Sequence, residues 1–142
     1  MSKTASRVFL SYARGDRESA RRIADRLRQA GLEVWDPERE ILPGSEWTSE
    51  LQTALDSADA LVALISPEAM ATSLVTWEIE YALGAKRMRG RLIPVFLRRT
   101  NQAPWILKHL QPLRYESPGK TGRQIVDLLS RPAEVRHAKA RI

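Results

Sequence analysis

Short apolar runs alternate with helix-periodic segments along the chain. The apolar runs lie at residues 7–12, 32–35, 60–65, 91–97 and, more briefly, 113–115. The run at 60–65 has no polar position, which is typical of a strand that is covered on both faces of a sheet. Alternating strands and helices predict an α/β domain with a mostly parallel sheet. Pro94 has no N–H to donate, so we expect it at an irregularity or on a non-bonding side of its strand.

Apolar residues at helical spacing fill the segments between these strands. Asp16 is placed to cap the first helix, and Gly31 is placed to end it. Ser45 is placed to cap a second helix after a loop at 36–44. The apolar faces of the two helices are Ala20, Ile23, Ala24 and Leu27, and Trp47, Leu51, Ala54, Leu55 and Ala58. A last helix is predicted over 121–129.

The segment SLVTWEIEYALG, at 73–84, carries an acid in an unusual place. At 100° per residue, one face of this helix is formed by Val75, Ile79, Ala82 and Leu83. Glu78 lies on the edge of that face, so we expect its carboxylate to be half removed from water, whereas Glu80 points to solvent. Such a carboxylate is a candidate for chemistry. The alternative is a boundary salt bridge or a charge in the first turn of the helix.

Length and composition indicate one globular domain. The chain has 142 residues, of which 43% are hydrophobic and 28% are charged. It contains no cysteine, which excludes disulfides and is compatible with the reducing cytoplasm, where we expect the protein to act. No window approaches the roughly 18 apolar residues of a membrane span. We expect residues 1–131 to form the domain and residues 132–142 to form a basic tail or linker.

The positive charge is concentrated towards the C-terminus. The formal net charge is +6, and residues 131–142 hold four Arg or Lys against one Glu. No aromatic residue is interspersed with the basic runs, so a stacking platform for bases is not evident. Specific binding to nucleic acid is therefore not expected.

Common catalytic motifs are missing from the sequence. SPGKT, at 117–121, resembles the end of a phosphate-binding loop, but Arg114 replaces the first glycine of that motif, so we interpret the segment as a turn. Gly15 is a single glycine where a dinucleotide-binding fingerprint needs three. Because His109 and His137 are the only histidines, neither a histidine metal site nor a Ser-His-Asp triad is expected.

Polar side chains follow the first three predicted strands, where ligands bind in a doubly wound sheet. The set comprises Ser11, Tyr12, Arg14, Asp36, Arg39, Ser66 and Glu78, with Trp47 nearby. Arg14 and Arg39 would suit a pyrophosphate. Tyr12 and Trp47 would stack on rings. The alternative for Asp36 is a turn residue, and for Trp47 it is core packing, which is the interpretation that we favour.

Four stretches together resemble a TIR (Toll/interleukin-1 receptor) domain of the bacterial type. They are VFLSYARGD at 8–16, GLEVWDPEREILPGSEW at 31–47, ALDSADALVALISPEAM at 54–70 and SLVTWEIEYAL at 73–83. The resemblance spans about residues 7–130. It implies a flavodoxin-like, doubly wound, five-stranded parallel sheet with helices on both faces.

The resemblance also implies two alternative functions. Some TIR domains cleave NAD+ at the nicotinamide–ribose bond with a glutamate in the helix after the third strand, and Glu78 occupies that position. The protein is thus expected to be an NAD+ glycohydrolase that needs no cofactor and releases nicotinamide with ADP-ribose or a cyclic ADP-ribose. Self-association and a sensor domain or protein would activate it in bacterial, antiphage immune signalling. The alternative is a non-catalytic scaffold, or a mimic that binds host TIR partners.

Further site residues follow from the same resemblance. Tyr12 and Arg14 occupy positions that line the nucleotide side in enzymatic members, and secondary matches are Asp36, Arg39 and Trp47. The loop at 36–44 is similar to the mobile BB loop, which packs against a neighbouring domain during assembly.

One position departs from the family pattern. Many members have tryptophan four residues before the glutamate, where this chain has Leu74. The nearest aromatic residue is Trp77, and on an ideal helix its side chain points in a different direction from that of residue 74. Ser11 and Trp77 complete the candidate substrate-binding set.

Overall fold

A five-stranded parallel sheet forms the centre of the computed structural model, which describes residues 6–41, 44 and 46–131. The strands are β1 (Arg7–Ser11), β2 (Glu33–Trp35), β3 (Ala60–Ile65), β4 (Leu92–Phe96) and β5 (Leu113–Arg114). They lie in the order β2-β1-β3-β4-β5, and every neighbouring pair is parallel. The predicted flavodoxin-like sheet is confirmed.

Helices cover both faces of this sheet. The α-helices are α1 (Arg17–Gln29), α2 (Pro37–Glu40), α3 (Trp47–Ser57), α4 (Pro67–Met70), α5 (Ser73–Gly84) and α6 (Pro118–Ser130). Short 3-10 helices lie at Arg14–Asp16, Lys86–Met88 and Trp105–His109. The buried residues of α1 and α6 pack over one face, and those of α3 and α5 pack over the other. The tail predicted over 132–142 lies outside the described residues.

Side chains of β1 alternate between the two layers. Val8 and Leu10 pack in the cluster under α1 and α6, whereas Phe9 packs in the cluster under α3 and α5. This period of two is the ordinary geometry of a strand. It directs the next two residues, Ser11 and Tyr12, to opposite faces at the carboxyl end of the strand.

Pro94 is accommodated within a regular strand. The carbonyl of Arg91 accepts from the N–H of Leu61, and the N–H of Leu97 donates to the carbonyl of Ile65. Odd-numbered backbone groups of β4 therefore face β3. The nitrogen of Pro94 faces the other side, before β5 begins to pair at Val95. The expectation of a non-bonding side is confirmed.

Serine–proline pairs begin two helices. The Ser66 hydroxyl accepts from the N–H of Ala69 at 3.0 Å, and that of Ser117 accepts from the N–H of Lys120 at 3.1 Å. Each serine is followed by a proline at the first helical position, where its missing N–H costs nothing. The interpretation of 117–121 as a turn was therefore wrong, because this segment forms the cap and first turn of α6.

Two apolar residues that we placed on buried helix faces are exposed. Trp47, the first residue of α3, is 50% exposed, and Leu83, in the last turn of α5, is 44% exposed. The predicted core positions of both were wrong. Helical periodicity gives the direction of a side chain but does not show whether another element lies opposite it at the end of a helix.

The predicted loop at 36–44 is partly helical. Asp36 accepts from the N–H of Glu38 at 3.1 Å and caps α2, which has proline at its first position. The prediction of a loop was therefore wrong for Pro37–Glu40. Ser45, the predicted cap of the next helix, lies outside the described residues, and Glu46 occupies the cap position of α3.

Candidate functional site

A buried carboxylate lies at the carboxyl end of β1. Glu78, in the second turn of α5, is 3% exposed, and the hydroxyl of Ser11 donates to its Oε1 at 2.6 Å. Ser11 is the last residue of β1 and is fully buried. Strand alternation turns it towards α5, and the apolar neighbours Val75 and Ile79 turn the same face of α5 towards the sheet. Two distant parts of the chain thus meet in one hydrogen bond.

The environment of Glu78 differs from what the sequence led us to expect. The carboxylate is buried rather than half exposed, and it lies one turn further into the helix than the first turn. Across the described ranges, no ion pair involves Glu78. The boundary salt bridge that we considered as an alternative is therefore wrong for this part of the chain. Glu80 is exposed, as predicted.

Burial changes the acidity of Glu78. Removal from water raises the pKa of the carboxyl to about 7, although the hydrogen bond from Ser11 opposes the shift. Near neutral pH the protonated and the ionised forms of the group are therefore both populated. A carboxylate in this state can become charged in response to a nearby cation.

Tyr12 forms a second polar contact on the other face of the sheet. Its phenol donates to the carboxylate of Asp36, which also caps α2. Burial, and then the hydrogen bond to Asp36, raise the pKa of Tyr12 well above its usual range. The phenol therefore stays protonated and holds the beginning of the 36–44 loop against the end of β1.

A charged cleft of about 450 Å³ adjoins this contact. Its lining includes Tyr12, Asp36 and Arg39, together with charged side chains of α1. Arg39 is exposed, and no carboxylate pairs with it among the residues that the structure describes. The cleft therefore offers a free guanidinium beside a fixed phenol. Glu78 is not among its lining residues.

The predicted site residues thus divide into two groups at one edge of the sheet. Ser11 and Glu78 lie on the α5 face, whereas Tyr12, Asp36 and Arg39 lie on the α1 face. The division follows from strand alternation at the end of β1, which sends adjacent residues to opposite sides.

Three other candidates lie at the surface. Arg14 is exposed in the 3-10 helix before α1, and Trp47 is exposed at the start of α3. Trp77 is 42% exposed on the outer side of α5, with its ring 6.3 Å from that of Tyr81. Within the described part of the chain, none of the three forms a hydrogen bond, an ion pair or a ring contact with Glu78.

A network that the sequence did not reveal lies at the same edge of the sheet. The buried Asp16 accepts from the Ser66 hydroxyl at 2.5 Å and from Arg98 at 2.7 Å, and Arg98 also binds Glu68 at 2.8 Å. Asp16 lies at the cap position of α1 but its side chain caps no helix N–H, so the predicted role was wrong. The Ser-Pro after β3 was a signal for Ser66, but nothing in the sequence pairs Asp16 with a residue 82 positions away.

The site contains carboxyl and hydroxyl groups but no evident metal cage. Among residues 6–41, 44 and 46–131, no group of three or more His, Asp or Glu is arranged to hold a metal ion. In the same part of the chain, no helix is long and apolar enough to cross a membrane.

Comparison with known sequences identifies the family. The sequence profile of the TIR domain matches residues 8–133. The chain belongs to the TIR domain family. A comparison with curated proteins gave no match. TIR domains associate with one another or with partner proteins.

Solved structures confirm the TIR fold. The TIR domain of a Toll-related receptor from Hydra magnipapillata is 19% identical, with a TM-score of 0.67, and the match covers 95% of this chain and 98% of that one. A TIR-STING receptor from C. gigas, in complex with 2',3'-cGAMP, is 24% identical with a TM-score of 0.74; the match covers 88% of this chain and 39% of the receptor. A prokaryotic SEFIR domain is 17% identical with a TM-score of 0.68, over 89% and 94% of the two chains.

Proposed function

We propose that this TIR domain is an NAD+ glycohydrolase in which Glu78 is the catalytic residue. The observation that carries the proposal is a buried carboxylate at the carboxyl edge of the sheet, held by one hydroxyl and, within the described chain, by no cationic side chain. A purely structural acid in such a place would usually be paired with a base. Glu78 has no such base beside it, so its carboxyl is available to a cationic partner that arrives from outside.

NAD+ supplies a suitable partner. Its nicotinamide is cationic and leaves as a neutral amine, so the site needs no general acid. Positive charge develops at the anomeric carbon as the bond breaks, and one carboxylate can stabilise it electrostatically or attack it covalently. Water then gives ADP-ribose, or the adenine of the same molecule attacks to give a cyclic ADP-ribose.

The raised pKa of Glu78 suits this chemistry. A bound cation favours the ionised carboxylate, which lowers its pKa and charges the group when the substrate is present. In the absence of substrate, the carboxyl is partly protonated and tolerates burial. Ser11 holds the acceptor oxygen in place throughout.

The remaining candidates receive roles as binding residues. Arg39, and Arg14 after the end of β1, are proposed to bind the pyrophosphate, and Tyr12 with Asp36 is proposed to shape the nucleotide side. Trp47 and Trp77 are exposed aromatic rings that are available to the substrate in an assembly.

Activation by self-association is part of the proposal. Because Glu78 is almost fully buried, NAD+ reaches it only after the surrounding elements move, and packing of the 36–44 loop against a neighbouring domain would supply the energy for that movement. We place this activity in the cytoplasm, coupled to a sensor domain or protein in immune signalling.

A non-catalytic scaffold is the second candidate, and one observation favours it. Leu74 and Trp77 on α5, and Trp47 on α3, are exposed on the same side of the sheet. Exposed large apolar residues are typical of protein–protein interfaces. A scaffold would use this surface without turning over NAD+.

One experiment separates the two candidates. Protein that is clustered on beads or by a fused oligomerisation domain is incubated with NAD+, and nicotinamide release is followed by chromatography. We expect turnover by the wild type and a loss of at least about 10²- to 10³-fold in Glu78→Gln, because one preorganised electrostatic contact contributes about that factor.

Glu80→Gln is the matched control, since Glu80 is exposed on the same helix and loses the same charge. It should retain nearly full turnover. Equal rates for the two variants, or no nicotinamide release by the clustered wild type, would exclude the catalytic role and leave the scaffold.

A further inference from the structure

A second cavity lies at the opposite edge of the sheet from Glu78. It has a volume of about 310 Å³ and lies between the end of α5, the beginning of β4 and the 3-10 helix Trp105–His109. Its apolar lining includes Leu83, Met88, Leu92, Ile106 and Leu110. Small-molecule sites are usually preformed cavities of this size or larger, mostly apolar, with few polar groups. This cavity has those properties.

The side chains around the cavity that contain an ionisable group are all basic in type. Lys86, Arg89 and His109 line it, and the lining contains no Asp or Glu. Lys86 and Arg89 are exposed, and in the described ranges neither pairs with a carboxylate. An apolar interior with unpaired cations at its mouth is complementary to a molecule that is apolar at one end and anionic at the other.

The backbone on both sides of the cavity is held in left-handed conformations. Gln111 has φ 59° and Gly90 has φ 77°, and both residues line the cavity. A left-handed backbone is unfavourable for a residue with a side chain, and such residues cluster at ligand sites. Gln111 is therefore an independent indication of a site at this place.

We propose that this cavity binds a small monoanionic amphiphile, with its apolar body among Leu83, Met88 and Leu110 and its carboxylate at Lys86 and Arg89. A volume of about 310 Å³ corresponds to about ten water molecules, which matches a carboxylate with a medium-length alkyl chain. The basic segment 131–142 has the same sign of charge as the cavity mouth and does not complement it. The proposal is independent of NAD+ cleavage.

Octanoate is the probe for the first test. The protein is labelled with ¹³C at its methionine methyl groups, because Met88 lines the cavity and Met70, at the end of α4, serves as an internal reference. We expect a saturable shift of the Met88 signal on addition of octanoate, with the Met70 signal unchanged. Uncharged octanamide should bind at least about tenfold more weakly, because it loses the charge-assisted contact.

Charge variants form the second test. Lys86→Gln/Arg89→Gln should weaken octanoate binding by at least about tenfold and leave octanamide binding unchanged. Both side chains are exposed, so the fold should be retained. Arg26→Gln/Arg123→Gln, which removes the same charge from exposed positions on α1 and α6, should bind octanoate as the wild type does.

Three results of the ligand titrations would overturn the proposal. They are equal binding of octanoate and octanamide, unchanged octanoate binding in the Lys86/Arg89 variant, and a Met88 signal that does not move with octanoate. A Met88 signal that moves with protein concentration alone would also overturn it, since a second copy of the chain would then be the occupant.

Discussion

Glu78 shows how a single residue is tuned by its surroundings. The residue type and its place in the helix are evident in the sequence, but its acidity depends on burial against β1 and on the hydroxyl of Ser11. A carboxyl with a pKa of about 7 acts over a different pH range from one in water. Two predictions test this at the residue scale.

The pH dependence of the proposed NAD+ cleavage should report the ionisation of Glu78. Because the ionised form is the one that stabilises positive charge, kcat/KM should rise with pH with a midpoint close to 7. In Ser11→Ala the midpoint should move upwards by about one unit, since the lost hydrogen bond had favoured the charged form. Initial rates of clustered protein between pH 5 and 9 measure both values.

Ser57→Ala is the control for Ser11→Ala, because among the described residues the Ser57 hydroxyl bonds only the backbone of its own helix. It should leave the midpoint unchanged. A wild-type midpoint near that of a carboxyl in water would show that Glu78 does not keep its buried environment in the active assembly.

The stability of the fold should also depend on the charge of Glu78. The pKa of Glu78 is higher in the folded than in the unfolded state. Below about pH 4.5 the carboxyl is protonated in both states, and its burial has no electrostatic cost. As the pH rises through 7, the buried group must ionise and the free energy of unfolding falls. At 1.36 kcal/mol per unit, the cost at high pH is about 3 kcal/mol. Glu78→Gln should therefore gain about 2–3 kcal/mol more over the wild type at pH 8 than at pH 5, measured by urea unfolding.

Glu80→Gln, at an exposed position, should show no such difference between the two pH values. If Glu78→Gln and the wild type keep the same stability difference at both, the carboxyl is not held in a raised-pKa state.

At the scale of elements, a network ties together the carboxyl ends of three strands. Asp16 follows β1, Ser66 follows β3, Arg98 follows β4, and one buried carboxylate joins them. The same Ser66 hydroxyl accepts from the N–H of Ala69 and caps α4. Side-chain hydrogen bonds therefore join the strands at the edge that carries the candidate site, in addition to the backbone hydrogen bonds of the sheet.

Breaking this network should cost stability. Among the described residues, Arg98→Gln leaves Ser66 as the one remaining hydrogen-bond partner of the buried Asp16 carboxylate, so it should lower the free energy of unfolding by about 1–3 kcal/mol. Arg99→Gln, at the adjacent exposed position, should change it by less than about 0.5 kcal/mol. Urea unfolding measures the free energy of unfolding of both variants. Equal losses would show that Arg98 stabilises the fold only through its positive charge and not through its contact with Asp16.

At the scale of the whole molecule, the isolated domain keeps its candidate catalytic group covered. The apolar side chains of Leu74, Trp77 and Trp47 are exposed at the same time. Covering these side chains and uncovering Glu78 are the two changes that assembly would have to couple.

Specific activity should therefore rise with protein concentration. We expect nicotinamide release per mole of protein to increase by at least about tenfold between dilute and clustered samples, because the population of competent sites follows the degree of assembly. Light scattering on the same samples measures assembly. A specific activity that is constant over dilution would show that the isolated chain is competent and that assembly has another role.

Local patterns predicted most of the fold. The apolar runs marked all five strands to within one residue at each end, because a buried strand appears in the sequence as an apolar run of about its own length. The buried face of α1 was likewise evident from Ala20, Ile23, Ala24 and Leu27. Several failures lie at helix ends, namely Trp47, Leu83, the capping role of Asp16 and the cap of α6, where burial and capping depend on what lies beyond the element. The short helix α2, which we predicted as part of a loop, is a further failure.

The candidate site was only partly predictable for a related reason. The sequence by itself determined the sheet, the edge at which polar groups collect and the presence of Glu78 on the helix after β3, since these follow from period and order. Only the tertiary structure decided three hydrogen-bonded pairs. Ser11 donates to Glu78 on one face of the sheet, and Tyr12 donates to Asp36 on the other face. Arg98 donates to the buried Asp16. Each of these contacts joins residues more than twenty positions apart, and such pairings are selected by packing rather than by local pattern.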